Sequence, residues 1–504
     1  MDVEKNTVKN LRLKIFEKVV NCATKKEIGF NEILEEIVDQ QKNNVENSEE
    51  FKKAVFEMFC LAFGFLPKKD FNFNFSNLLK EVKKKQQEKE NLINPPLVNI
   101  IKPLCNGCKE NGFFVTNFCQ GCLKRPCKAA CPKDAIYFDK NKKSVIDKEK
   151  CIKCGRCFLA CPYSAIVKQQ RPCKEACGVD AIKSDELKRA EIDKEKCVSC
   201  GSCILACPFG AIFDKTQIFE LVSSLEKGEK IVACVAPAFV GQFGNDVDFK
   251  TLKAAFLKLG FLDLVEVAIG ADLCSFGEAK EFVEKVPKNQ PFMATSCCPA
   301  WSVMAKKNFK ELAPYISMEL TPMAFTGRLI KSKNKNVKVL FVGPCTAKKL
   351  EAFRKSVRSD VDFVLTFEEM SAIFKAKKID FSSLSLKENE QEKATADGRG
   401  FAISNGVANA VLECVKKLDP KKEVFLDSAQ GLKECKKMLL LAKAGKRNGY
   451  LLEGMACLNG CVGGAGTIQK KEKSFKSVEE FAKNSKKKHA FESEFIKDLE
   501  ELLK

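Results

Sequence analysis

Apolar residues recur at three- and four-residue intervals through the first hundred positions. "IFEKVVNCATK" (15–25) and "FNEILEEIVDQ" (30–40) carry this spacing, which predicts amphipathic helices. "LLKEVKKKQQEKENLINPP" (78–96) predicts a charged helix closed by Pro95 and Pro96. Residues 1–98 therefore form a helical region; its isolated Cys22 and Cys60 are read as core thiols. Over 99–215 the helical period gives way to four copies of one unit, "CKAACPKDAI", "CFLACPYSAI", "CKEACGVDAI" and "CILACPFGAI", ending at Ile136, Ile166, Ile182 and Ile212. From 216 to 467 the pattern changes again. Short apolar runs, "KIVACVAPAFV", "LVEVAIGADL", "QPFMATS", "NVKVLFVGP" and "VDFVLTF", read as buried strands with helical stretches between them, an α/β domain. Residues 468–504 read as a lysine-rich helical tail.

With 504 residues, 45% apolar and 30% charged, the chain has room for two to four domains. No apolar run reaches membrane-spanning length, so no membrane partner is expected. The first twenty residues hold early acids and no apolar core of a secretory signal, which predicts a cytoplasmic protein. The 27 cysteines fall mostly in short metal-ligand spacings, as expected of thiolates in a reducing compartment. His489 is the only histidine, which argues against mixed Cys/His zinc fingers, histidine-ligated haem and histidine acid–base catalysis. The net charge of +20 is spread along the chain. It reads first as a solvated surface and second as a docking face for an acidic redox partner; no motif supports nucleic-acid binding.

Two of the repeats follow complete thiolate runs, "CIKCGRCFLACP" and "CVSCGSCILACP". This is C-x2-C-x2-C-x3-C-P, the bacterial ferredoxin pattern, in which three thiolates wrap one 4Fe–4S cube and the fourth reaches the other cube. A zinc ribbon would not need the C-P-x-x-A-I tails. The pairing rule joins Cys151, Cys154 and Cys157 to Cys131, and Cys197, Cys200 and Cys203 to Cys177. A stretched run, "CQGCLKRPC", offers Cys119, Cys122 and Cys127, closed by Cys161. Cys105, Cys108, Cys173 and Cys207 remain, and could form a fourth cube from distant segments. The alternative is a four-thiolate site of Cys105, Cys108, Cys119 and Cys122, which could hold zinc. The region thus predicts an α+β ferredoxin-like domain with two to four accessory clusters.

Three further motifs stand where α/β strands end, which is where sites assemble in open α/β folds. They are "TSCCPAW" (295–301), "GPCTAKKLEA" (343–352) and "MACLNGCVGGAG" (455–466). Cys298, Cys345, Cys457 and Cys461 make one more four-thiolate set, suited to a 4Fe–4S cube. Cys297 can stay free beside its neighbour. Gly463, Gly464 and Gly466 let backbone approach something bulky. Lys348 would set a cation beside the cluster, which makes sense if an anionic ligand is also there.

These loops resemble the three signature loops of the [FeFe]-hydrogenases, in the same order, and the likeness covers roughly residues 100–467. "TSCCPAW" and the stretched thiolate run are similar to the branch called group B. The resemblance implies a two-lobed catalytic domain and an H-cluster, a cube joined through a cysteine sulfur to a two-iron unit bearing CO, CN and a bridging dithiolate amine. It implies that Cys298, Cys345, Cys457 and Cys461 hold the cube, Cys461 also bridging to the two-iron unit. Lys348 would hydrogen-bond a cyanide, and Pro237, Ala238 and Met455 would pack on that unit. Cys297 would exchange the proton with the amine. Glu278, Glu281 and Lys285 lie at i, i+3 and i+7 of "GEAKEFVEK" and share a helix face. With Ser317 they match the family's proton path, lysine replacing arginine at its end. Gly343, Met323 and Ala465 depart from the common pattern without removing a ligand.

The implied activity is 2 H⁺ + 2 e⁻ ⇌ H₂ with ferredoxin as partner, after loading by hydrogenase maturation proteins. Two competing readings are an iron–sulfur assembly protein of the prelamin-recognition-factor type and a sensory hydrogenase.

Overall fold

The computed structural model describes residues 2–24, 48–66, 75–87, 95–109, 111–354, 356–357, 359–384 and 393–503. The predicted helix over 30–40 and the segment 88–94 lie outside the described residues. Helix α1 (Asp2–Ala23) and the helix Ser48–Ala62 each bury one apolar stripe. Ile15, Phe16, Val19 and Val20 of α1, and Val55, Met58 and Phe59 of the other, enter the same core as Ile231–Val235 and Val339–Val342. Phe16 meets Phe213 edge-on, with ring centroids 5.5 Å apart.

The repeat region is built of two-stranded antiparallel ribbons. Gly112–Val115 pairs with Ile166–Gln169, Ile136–Phe138 with Ser144–Ile146, and Ile182–Ser184 with Ala190–Ile192. Val98–Ile100 pairs with Ile212–Asp214, so the two ends of the region meet. Asp134, Ser164, Asp180 and Gly210 occupy the same place in the four repeats, and all have positive φ (45°, 50°, 51° and 64°). A left-handed residue there reverses the chain sharply, which short polar residues and glycine tolerate best.

Among the described residues seven strands form the α/β domain: β1 (Ile231–Val235), β2 (Asp263–Glu266), β3 (Met293–Ala294), β4 (Lys338–Gly343), β5 (Phe363–Thr366), β6 (Phe425–Gln430) and β7 (Tyr450–Met455). They make two all-parallel sheets, ordered β2-β1-β4-β5 and β3-β7-β6. Each of the five predicted strand segments contains a strand. "LVEVAIGADL" is strand only to Glu266; helix α2 (Ala268–Lys285) begins two residues later. Its small residues allow that helix to pack tightly, and a Cβ on Gly270 would fall 2.2 Å from Pro322 O. A short apolar run does not tell a buried strand from a buried helix. Two more helices matter for the site: α3 (Thr346–Ala352) after β4, and α4 (Phe367–Ala376) after β5. The tail contributes the helix Lys471–Lys483 and then short helical turns.

Candidate metal centres and proton path

Three small pockets of similar size lie among the repeats. Cys105, Cys108, Cys173 and Cys207 line the first, Cys177, Cys197, Cys200 and Cys203 the second, and Cys119, Cys122, Cys127 and Cys161 the third. Cys157 lies within electrostatic reach of Cys151 and Cys131, which groups three members of the fourth set, and Cys154 is exposed beside them in sequence. The four-cysteine set of Cys105, Cys108, Cys119 and Cys122 is therefore not formed: its two pairs line different cavities. Among the described residues no three acidic, cysteine or histidine side chains converge tightly enough for a single ion. Cysteines spread around a cavity suit a wider body such as a cube. The left-handed turn in each repeat also serves the sulfur. Ala135, Ala165 and Ala181 donate N–H to Cys131, Cys161 and Cys177 Sγ at 3.3, 3.4 and 3.3 Å.

In the α/β domain the strand ends converge. β3 leads into Cys297 and Cys298, β4 into Cys345, and β7 into Met455, Cys457 and Cys461. Burial raises the four ligand-type thiols, and Cys345 and Cys461 each reach about 12. Their mutual charge pushes Cys345 and Cys457 further, while Lys348 opposes it at Cys345 and Cys461. Four partly buried thiols in mutual reach stay ionised only around a soft cationic centre, so the donor set fits an iron–sulfur cube. Ala456 N donates to Cys298 Sγ at 3.5 Å. The single tryptophan is fixed by a glycine. Trp301 Nε1 donates to Thr295 O at 3.0 Å, and a Cβ on Gly454 would sit 2.2 Å from the indole.

Cys297 is buried, and its thiol is raised well above the ordinary value, first by burial and then by the charge of Glu278. It therefore remains protonated. Lys348 is buried; its Nζ donates to Cys297 O at 3.2 Å and pairs with Glu351 at 2.6 Å. Burial pulls its pKa down, but Glu351 and the nearby thiols raise it on balance. Glu351 in turn accepts from Thr321 Oγ1 at 2.7 Å. Pro237, Ala238 and Met455 are buried at the ends of β1 and β7.

Glu278, fully buried on α2, accepts from Ser296 N at 3.1 Å, and its Oε2 has no hydrogen-bond partner. Burial first, then the charges of Glu281 and Glu319, push its carboxyl up to about 8; Ser317 opposes this weakly. Ser317 Oγ donates to Glu281 Oε2 at 2.6 Å, and Lys285 Nζ donates to Glu281 Oε1 at 2.8 Å. Lys285 is half exposed. Ser317, Glu281 and Lys285 thus form one hydrogen-bonded series, and Glu278 lies between it and Cys297 in electrostatic reach of both.

Sequence reasoning missed three acids and thiols here. Glu319 lies against α2, where a Cβ on Gly277 would fall 2.2 Å from its Oε2; the missing side chain at 277 was the available signal. Cys274 sits one turn before Glu278 and within electrostatic reach of Cys297, Glu278 and Lys348. Glu453, two residues before Met455, is buried and accepts from Asn405 N and Ala408 N at 2.7 and 2.8 Å.

The repeat region reaches the catalytic loops directly. Cys200 lies within electrostatic reach of Cys457, and a Cβ on Gly201 would fall 2.4 Å from Ala465 Cβ.

Three family models match: "Iron only hydrogenase large subunit, C-terminal domain" over 229–465, "LdpA Fe-S cluster-binding domain" over 119–170 and "4Fe-4S binding domain" over 190–213. Iron hydrogenase 1 of Clostridium pasteurianum is 29% identical over 407 residues, 70% of each chain. The periplasmic [Fe] hydrogenase large subunit of Nitratidesulfovibrio vulgaris is 30% identical over 298 residues, 49% of this chain and 71% of that one. The chain belongs to the iron-only hydrogenase family. The family also explains the two-lobed α/β domain behind 4Fe–4S modules. A nuclear prelamin A recognition factor of Xenopus laevis is 25% identical over 303 residues, 49% of this chain and 66% of that one. No helix among the described residues is long and apolar enough to cross a membrane.

Proposed function

We propose that this chain interconverts protons and hydrogen, 2 H⁺ + 2 e⁻ ⇌ H₂, and exchanges electrons with a ferredoxin in the cytoplasm. The observation that carries this reading is the free buried thiol of Cys297 at the head of the Glu278, Ser317, Glu281 and Lys285 series. A protein that only stored or passed on an iron–sulfur cube would need no such series. Cys298, Cys345, Cys457 and Cys461 would hold the cube of an H-cluster, with Cys461 shared with its two-iron unit. Lys348 would face a cyanide of that unit, and Pro237, Ala238 and Met455 would wall it from water. When bound, the cluster supplies the redox and hydrogen-binding chemistry.

The chain's own residues supply the proton and the electrostatics. Cys297, protonated and unligated, gives up and regains a proton at Sγ. Glu278 restores it through its unpartnered Oε2, and the Ser317 hydroxyl and Glu281 carboxylate connect that oxygen to solvent at Lys285. Lys348, held by Glu351, keeps a fixed positive charge where anionic ligands would bind. Electrons would pass along the four sets of cysteines, ending at the Cys200–Cys457 approach. Hydrogenase maturation proteins would install the two-iron unit.

Likeness to a prelamin recognition factor favours a second reading, an iron–sulfur protein without the two-iron unit. Infrared spectroscopy of protein matured without oxygen separates the two. Carbonyl and cyanide stretches, with hydrogen evolution from reduced ferredoxin, support the proposal; iron–sulfur absorption with neither stretch supports the assembly reading.

A further inference from the structure

Helix α1 carries Arg12 into a charge network that extends to two of the cluster loops. Arg12 is buried, and its Nε donates to both carboxylate oxygens of Glu368 at 3.1 and 3.2 Å. Its Nη2 donates to Glu368 Oε2 at 3.0 Å and to Asp214 Oδ1 at 3.3 Å. Its guanidinium also covers the Phe213 ring, 4.3 Å from the centroid. Asp214 ends the repeat region, and its other oxygen accepts from Lys349 Nζ at 2.8 Å. Lys349 is fully buried; it also donates to Lys215 O at 2.8 Å and to Glu369 at 2.5 Å.

Two connections lead from this network to the metal centre. Lys349 is on α3, next to Lys348 and four residues after Cys345. Glu368 N donates to Gly466 O at 3.1 Å, in the loop that follows Cys461, and Gly466 N donates to Pro344 O at 2.9 Å, beside Cys345. A Cβ on Gly466 would fall 2.3 Å from Thr366 Cβ, and Thr366 N donates to Glu369 at 2.7 Å. The network thus grips the Cys345 loop and the Cys461 loop from behind.

We propose that Arg12 is a positioning residue for the metal centre: the amino-terminal helix completes the charge balance that fixes the Cys345–Lys348 and Cys461–Gly466 loops. Arg12 and Lys349 face Asp214, Glu368 and Glu369. Without Arg12, these carboxylates lose one of the two cations that bond to them. Breaking a buried ionic network from one side is costly because the remaining charges lose their partner. Burial would raise the pKa of Asp214, but Lys349 and Arg12 hold it below the usual value. Loss of Arg12 therefore frees Asp214 to protonate or turn away, and Lys349 loses its anchor.

The cyanide readout of the test rests on the proposed function; the exchange readout does not. Arg12→Met keeps the apolar stem and removes the charge. In the full, matured protein, amide exchange over 345–352 and 461–467 should accelerate roughly tenfold, and the cyanide bands should shift as the Lys348 environment changes. Arg12→Met with Glu368→Gln removes one unpaired carboxylate and should restore both readouts toward wild type. Faster exchange confined to α1 and α4, with both loops and the bands unchanged, overturns the inference. So does a double variant that is no better than the single one, because bulk packing alone would then explain the effect. A wild-type protein with no carbonyl or cyanide bands would defeat the proposed function, and the exchange readout would still decide the role of Arg12.

Discussion

The Ser317 hydroxyl donates to Glu281 at 2.6 Å across 36 positions of sequence, and so joins the segment that runs beside β3, where Ser317 N donates to Ala294 O, to α2. The contact also constrains Glu319, whose backbone N–H donates to Ser317 Oγ at 3.1 Å. A hydroxyl that accepts from one group and donates to the next can pass a proton by turning over. Ser317→Ala and Glu281→Gln should each lower hydrogen evolution by about 10²- to 10⁴-fold, the usual weight of a positioned acid or base. Neither touches a cysteine, so iron content and the infrared bands should be those of the wild type. Equal activity in both variants would remove this path from the mechanism.

Glu278 gives the path a pH limit. Its carboxyl sits at about 8, raised by burial and then by Glu281 and Glu319. An acid with a raised pKa keeps its proton below that value and loses it as pH rises through it. Inward proton delivery should be steady below about pH 8 and then fall by about tenfold per unit. Glu319→Gln removes one of the charges that raise Glu278, so the break should move to lower pH. The measurement is the pH profile of hydrogen evolution with an artificial electron donor, and an unmoved break in Glu319→Gln would contradict it.

The cluster cysteines were legible because thiolate spacing is local: three ligands of each complete run lie within seven residues. The face shared by Glu278, Glu281 and Lys285 was legible because it depends only on helical geometry. The choice between one zinc site and two cubes for Cys105, Cys108, Cys119 and Cys122 was not, since it depends on which distant segments fold together. Strand β6 was missed because it is an edge strand with a half-exposed Phe425 and no continuous apolar run. Arg12 was invisible for the same reason: its partners Asp214 and Glu368 lie 202 and 356 positions away.

Electron entry can be tested at the surface of the repeat region. Residues 117–168 hold twelve lysines and arginines against four acids. Phe118, Leu123 and Leu159 are 74%, 98% and 82% exposed, and each is within two residues of a cluster cysteine. An acidic ferredoxin would meet charge first and apolar contact close to the clusters second. Ferredoxin-linked turnover should fall with added salt, because exposed charges are screened beyond about 8 Å at physiological ionic strength. Leu123→Asp and Leu159→Asp should raise the KM for ferredoxin and leave dye-linked activity unchanged. Point changes are the right tool, since removing residues 1–215 would also strip Arg12 and Asp214 from the catalytic core. A flat salt response with unaltered KM would place electron entry elsewhere.

Cys297 and Cys298 are neighbours with opposite duties in this mechanism. Cys298 accepts an N–H from Ala456 and shares its surroundings with Cys345 and Cys461. Cys297 instead has Glu278 as its strongest charged neighbour. Cys298→Ala removes one of four thiolates, so the cluster and activity should be lost together. Cys297→Ala removes no ligand, so iron content and the carbonyl bands should survive while turnover collapses. Cys297→Ser should fail too, because a hydroxyl is far less acidic than a thiol with an ordinary pKa near about 8.5. Cys297→Asp should recover part of the rate, since a carboxyl in that buried place would be pushed upward and hold a proton for part of the time. Iron analysis, infrared spectra and hydrogen evolution on the four variants decide the matter. An intact, fully active Cys297→Ala protein would end the relay reading, and a cluster lost from Cys297→Ala but kept in Cys298→Ala would exchange the two roles.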